Sequence, residues 1–266
     1  MKKIFVMLSL AALVVMTMSS CMRVKIGENG WSIVNKAGRH NDTPTQVHQV
    51  GEVTQMQQFS QIDVAGPFNV ILEQGQAATV RVDGTVDQLT SMTIYVKDGD
   101  LVIDMKEDMV DAGKFFKGMR VFVSTPMVES IEIAGSGSVT APKALAVGDM
   151  HLEIAGSGDI TLDRLNCKDL DIEIAGSGDI ILGNVQAVGL KNTIAGSGSI
   201  ELAALICKNV KNEIAGSGDI MLSCLNVDQV STSIAGSGDV ILRGNVGTHT
   251  EDIAGSGKVD VSGIKK

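Results

Sequence analysis

Ile154-Ala155-Gly156-Ser157-Gly158-Asp159-Ile160-Thr161-Leu162 decides the fold, because the chain keeps returning to it. Ile-Ala-Gly-Ser-Gly occurs seven times, beginning at Ile133, Ile154, Ile174, Ile194, Ile214, Ile234 and Ile253, in steps of 21, 20, 20, 20, 20 and 19 residues. Such a period marks a repeat architecture and takes precedence over local propensities. Six residues after the motif isoleucine stand Ile160, Ile180, Ile200, Ile220 and Val240; eight after stand Leu162, Leu182, Leu202, Leu222 and Leu242. Eleven after stand Leu165, Val185, Leu205 and Leu225, and four before the next motif stand Leu170, Leu190, Val210 and Val230. Asp171-Ile172-Glu173-Ile174 alternates polar with apolar, the period of a strand with one buried face. One coil of about 20 residues cannot bury its own apolar side; stacked coils, about 4.8 Å apart, share a continuous core. Gly-Ser-Gly supplies a corner with backbone freedom and side chains small enough for close approach. The expectation is an all-β protein, a β-solenoid of ~20-residue coils. A leucine-rich repeat lacks its Asn/Cys consensus here, and the calcium-binding nonapeptide repeat has the wrong length.

Upstream of the regular copies, Ile62-Asp63-Val64-Ala65-Gly66-Pro67-Phe68-Asn69-Val70 is a variant of the motif. Phe59-x-x-Ile62-x-Val64-x-Gly66-Pro67-Phe68-x-Val70, Val80-x-Val82-x-Gly84, Gly99-x-Leu101-x-Ile103 and Val121-x-Val123-x-x-Pro126 precede the Gly-Ser-Gly-Asp repeats. Together these resemble the head GIN domain family, described as auto-transporter adhesins, over about residues 59–260. The resemblance implies a single-stranded parallel β-helix in a cell-envelope lipoprotein. It supplies no catalytic residues.

The chain divides into four segments. Residues 1–20 read as a signal peptide: Lys2 and Lys3 precede an apolar run from Ile4 to Met18 that is short for a membrane span. Met18-Ser19-Ser20-Cys21 resembles a lipobox, which makes Cys21 the expected site of lipidation. Acyl chains there, at about 0.8 kcal/mol per buried methylene, would hold the protein on a membrane. Residues 21–57 are polar and read as a tether, with local order expected around Trp31. Residues 58–126 are expected to form irregular coils that cap the helix, with a loop or short helix between Met105 and Met119 carrying Phe115 and Phe116. Residues 127–266 are the regular solenoid.

Composition narrows function. Thirty-one acidic residues against 22 basic ones give a net charge of −9, with no basic cluster to track a phosphate backbone, so no nucleic-acid partner is expected. Beyond Cys21, three cysteines remain, an odd number with no zinc-ligand spacing. Cys167 and Cys207 share a column two coils apart, beyond the ~7 Å limit for a disulfide, and read as small buried apolar residues. Cys224 aligns with Arg164, Asn184 and Ala204 in a column expected to be exposed. Asn192 and Asn212 align with Leu152 and Ile172, an inward column, and should bond to one another.

The repeated serines, Ser136 through Ser256, are glycine-flanked but lack the strand–turn–helix context of a nucleophile elbow, so they read as corners. Asp159, Asp179, Asp219 and Asp239 form an acidic column; Ser138, Ser199 and Lys258 interrupt it. A second column holds Glu132, Glu153, Glu173, Glu213 and Asp252. Stacked carboxylates repel, so the four aspartates are candidates for a cation ladder, though the favoured reading has each carboxylate capping a backbone N–H. A polysaccharide-degrading β-helix enzyme is the rival. After Arg120 the only arginines are Arg164 and Arg243, and no aromatic residue follows Phe122. No catalytic residue, metal or cofactor is therefore assigned. Two functions remain: an adhesin-like module binding a protein or glycan through a lateral sheet or the Phe115-Phe116 loop, and an envelope scaffold that self-associates through the solenoid ends. Localisation to the cell envelope, as an outer-membrane lipoprotein, is expected; Met22-Arg23-Val24-Lys25 lacks the acidic residues that accompany surface display in some lipoproteins.

Overall fold

A computed structural model describes residues 23–27, 30–34, 47, 49–107 and 109–265, so Cys21 lies outside the described residues. The chain falls into two units, residues 1–43 and 44–266. In the first, β1 (Arg23–Gly27) pairs antiparallel with β2 (Gly30–Val34), the local order expected around Trp31.

The second unit begins with a cap. Its elements are β3 (Val53–Gln55), β4 (Gln61–Ala65), β5 (Asn69–Gln74), β6 (Thr79–Asp83), α1 (Val86–Thr90), β7 (Met92–Lys97), β8 (Asp100–Met105), α2 (Ala112–Phe115) and β9 (Arg120–Thr125). Ladders run parallel from β8 to β4 and from β9 to β5, which places the coil of residues 100–125 outside the coil of residues 61–74. The first two layers thus stand in reverse chain order. Strand β7 closes the free edge of β8 antiparallel, and β6 closes that of β9, with β3 added beyond it. Covered edges cannot recruit another chain's strand. A capping box fixes α1: the Thr85 hydroxyl accepts from the Gln88 N–H at 3.2 Å, and the Thr85 N–H donates to Gln88 Oε1 at 2.9 Å. Within the span 21–57 that reads as a tether, β3 is paired and Val47 and Met56 are buried.

The regular coils follow as β10 (Ser130–Gly135), β11 (Ser138–Ala146), β12 (Met150–Gly156), β13 (Asp159–Asn166), β14 (Asp169–Gly176), β15 (Asp179–Gln186), β16 (Gly189–Gly196), β17 (Ser199–Gly216), β18 (Asp219–Gly236), β19 (Asp239–Gly255) and β20 (Lys258–Lys265). Every ladder among them is parallel. The motif isoleucines stack as Ile133, Ile154, Ile174, Ile194, Ile214 and Ile234, and all are buried. Each such side chain removed from water contributes about 1.5–3 kcal/mol. This is the β-solenoid expected from the period.

The corner at Gly-Ser-Gly explains its invariance along the chain. Gly196 has φ +138, and a Cβ there would stand 2.2 Å from the Gly176 carbonyl oxygen. The Ser197 N–H donates to that same carbonyl at 2.8 Å, so the coils meet backbone to backbone.

Inside the stack, Leu152, Ile172, Asn192, Asn212 and Thr232 occupy one column. Asn192 Nδ2 donates to Asn212 Oδ1 at 2.8 Å, and Asn212 Nδ2 donates to Thr232 Oγ1 at 3.3 Å, the ladder the alignment implies. Cys224 departs from its alignment. It pairs in register with Leu205, is buried, and fills the apolar column, while Leu225 is turned out and 55% exposed. A register shift between Leu202 and Leu205 moves the strand by one residue, a second between Leu205 and Ile206 restores it, and Gly244, at φ +91, continues the irregularity into the next coil.

Candidate binding groove

The four candidate aspartates stand on one corner, as aligned. Asp159 is in register with Asp179, Asp179 with Ser199, Ser199 with Asp219, and Asp239 with Lys258. Their carboxylates reach along the stack. Asp179 Oδ1 accepts from the Ser199 N–H at 3.1 Å and from its hydroxyl at 2.6 Å. Asp219 Oδ1 accepts from the Asp239 N–H at 2.8 Å, and Asp239 Oδ1 from the Lys258 N–H at 2.9 Å. These carboxylates cap backbone N–H groups of the next coil, and the Ser199 N–H is shared between Asp179 and the Gly178 carbonyl at 3.3 Å. Among the described residues, no group of three or more His, Cys, Asp and Glu side chains is arranged to hold a metal ion. The repeated serines Ser157, Ser177, Ser197, Ser217 and Ser237 are exposed at the same corner.

Phe116 is buried, not offered to a partner. It packs edge-on against Phe68 and against Phe115, each at 4.9 Å between ring centroids, and plugs the capped end of the core. The Phe115-Phe116 segment is therefore part of the cap's interior packing. Cys207 and Cys224 are buried and Cys167 is half-buried, all with free thiols. Burial pushes the Cys224 thiol up to about 11 and the Cys167 thiol up to about 12, which leaves neither a ready nucleophile.

The structure brings together a feature the sequence reading passed over. A groove of about 1060 Å³ runs from Glu129 to Thr250, across successive coils on the face that carries the motif strands. One wall is the column three residues before the motif isoleucine: His151, Asp171, Lys191, Lys211, Ser231 and Thr250, each in register with the next. The other wall is the preceding corner: Asp149, Asp169, Gly189, Asn209, Gln229 and Thr248. Between the walls runs the strand backbone of Leu170, Leu190, Val210 and Val230, whose side chains are buried in the core. Because side chains alternate in a strand, the residues flanking each buried position must point outward, and stacking turns them into continuous walls. Counting the column at −3 as well as the one at −1 would have revealed it.

Ion pairs order the first wall. Lys191 Nζ lies 3.2 Å from Asp171 Oδ1 and 2.9 Å from Glu173 Oε1; Lys211 Nζ lies 2.9 Å from Glu213 Oε1. Burial pulls Lys191 down, but the Glu173 and Asp171 carboxylates outweigh it and hold the ammonium above its ordinary range. His151 Nε2 stands 3.4 Å from Glu153 Oε2. That contact, opposed by burial and reinforced by the charges of Glu153, Asp171 and Glu173, raises the imidazole above its ordinary value.

The comparisons with known proteins bear on most of the second unit. A family model described as "Putative auto-transporter adhesin, head GIN domain" matches residues 58–223 and 212–266. No curated protein matches the chain. Among solved structures, a putative adhesin from Bacteroides fragilis superposes with a TM-score of 0.67 at 20% identity, covering 79% of this chain and 94% of that one. A putative adhesin from Parabacteroides distasonis gives a TM-score of 0.67 at 22% identity, covering 83% and 97%. A third, described as a putative lipid binding protein from the same species, gives 0.64 at 23% identity, covering 85% and 98%. At these identities the likeness is one of fold.

Proposed function

The chain belongs to the head GIN domain family, and from that premise we propose a non-catalytic, adhesin-like binding protein of the cell envelope. It is tethered by lipid on Cys21 and engages its partner along the lateral groove. The observation that carries this reading is the groove itself: two polar walls in register across successive coils, a binding surface that the repeat generates without a unique active centre. The outward side chains of the walls are polar or charged, which suits a hydrated partner. Candidate acids of the corner column accept hydrogen bonds from backbone N–H groups, a structural employment that leaves little for catalysis.

Three experiments test the reading. Protease treatment of intact and lysed cells should digest the protein on intact cells if it meets partners outside; protection until lysis would contradict adhesion. Ser231→Trp, which fills the groove from an exposed wall position, should abolish binding to partner surfaces; unchanged binding would rule out the groove. Cys21→Ser should move the protein from the membrane fraction to the soluble fraction.

A second reading, the self-associating scaffold, rests on the last described coil. Val259, Val261 and Ile264 are half-buried there, whereas Val240 and Leu242 one coil earlier are fully buried. Sedimentation equilibrium decides it: a dimer lost on Val261→Lys supports stacking at this end, and a monomer at every concentration rejects it.

A further inference from the structure

The last described coil, residues 246–265, departs from the inward pattern of the others. Its strands, the later part of β19 and β20, pair with the coil before them and, among the described residues, with no strand beyond. Val230 and Thr232, both buried, are in register with His249 and Glu251. Thr248 and Thr250, which alternate with these two, line the groove, so His249 and Glu251 take the inward side of the strand. Both are exposed, because no coil lies over them. Among the described residues, neither side chain is held by a hydrogen bond or an ion pair. Beside them Ile253, Val259, Val261 and Ile264 continue the apolar columns and are only half-buried. This end is thus an apolar surface bearing one histidine and one carboxylate, two residues apart on a free strand edge.

We infer that this end binds the same end of a second copy, in a closed two-fold dimer that pairs His249 of each copy with Glu251 of the other. This rests on the self-association reading above and adds its symmetry and register. Inward-pointing charge on a strand edge ordinarily blocks pairing. Two like charges there would also repel a second copy. A cation and an anion two residues apart are instead self-complementary. When two such edges run antiparallel around an axis through Thr250, position 249 of each faces position 251 of the other. The same register sets Ile253 opposite Gly247, which has no side chain to obstruct it. An ordinary apolar coil laid over this end would bury both charges without partners, at a cost of several kcal/mol. A second copy supplies the counter-charges and covers Val259, Val261 and Ile264. The opposite end excludes head-to-tail stacking, because β7, β6 and β3 close the edges of the cap antiparallel. Head-to-tail contact would build a filament, whereas the two-fold contact stops at two chains.

The test is sedimentation equilibrium of the purified chain in mildly acidic solution, where histidine is charged. The parent is expected to form a dimer as concentration rises, with no larger species. His249→Glu and Glu251→His should each weaken dimerisation about tenfold or more, because each then sets like charges against one another across the contact. An equimolar mixture of the two variants should dimerise as the parent does, since one chain then carries two carboxylates where the other carries two imidazolium groups. Recovery on mixing also shows that both variants are folded. A mixture that associates as weakly as its components overturns the pairing, as do single variants that dimerise like the parent. In either case a dimer still lost on Val261→Lys leaves association at this end standing. Assemblies larger than a dimer overturn the two-fold closure. A parent that is monomeric at every concentration removes the inference together with the self-association reading beneath it.

Discussion

At the scale of single residues, the stack is held to its spacing by glycine. A methyl group at Gly196 would meet a backbone carbonyl that cannot move without separating two coils, at a φ that L-residues rarely adopt. Gly196→Ala should therefore cost about 3 kcal/mol or more, whereas Ser197→Ala, exposed one position later, should stay within about 0.5 kcal/mol. Chemical denaturation of the two variants checks the contrast. His151 gives the second prediction. Its folded pKa is raised from 6.5, so the stabilisation from its contact with Glu153 is fully present below that value. It is lost as pH rises through the raised folded value. His151→Gln should destabilise the protein in mildly acidic solution and leave it unchanged in alkaline solution; a stability difference that is flat with pH would contradict the assigned contact.

At the scale of the element, the coil is where sequence and structure can be compared residue by residue. Motif isoleucines, the leucines eight positions on and the Asn192–Asn212 ladder were all legible, because strict alternation fixes which face each residue takes and stacking fixes its neighbour. The coil containing Cys224 was misread. Both Cys224 and Leu225 can fill the inward slot, and hydrophobicity alone favours leucine; the shift in register that selects cysteine depends on pairing with the coil before it. Leu225→Ser should consequently cost less than about 0.5 kcal/mol, while Cys224→Asp, which buries a charge, should cost several kcal/mol. The reverse order would restore the simple alignment. The cap was legible only as a set of strands. Its antiparallel closure and reversed layers arise from contacts distant in sequence, which periodicity does not encode.

At the scale of the whole second unit, a column of like residues becomes a surface property. Repetition was evident in the sequence, but a groove exists only once outward columns are seen facing one another across a corner. The acidic columns stand out in the sequence by their charge, whereas the mixed column at His151, Asp171, Lys191 and Lys211 is marked by no single residue type. Nearest-neighbour stacking also makes this surface rigid, so a partner meets preset walls. The most direct test of the account is site-specific photo-crosslinking from Ser231 in the groove and from Thr161 on another strand face, with the partner surface present. The account predicts adducts from Ser231 and none from Thr161. Adducts from Thr161 with none from Ser231 would place binding on another face and contradict it.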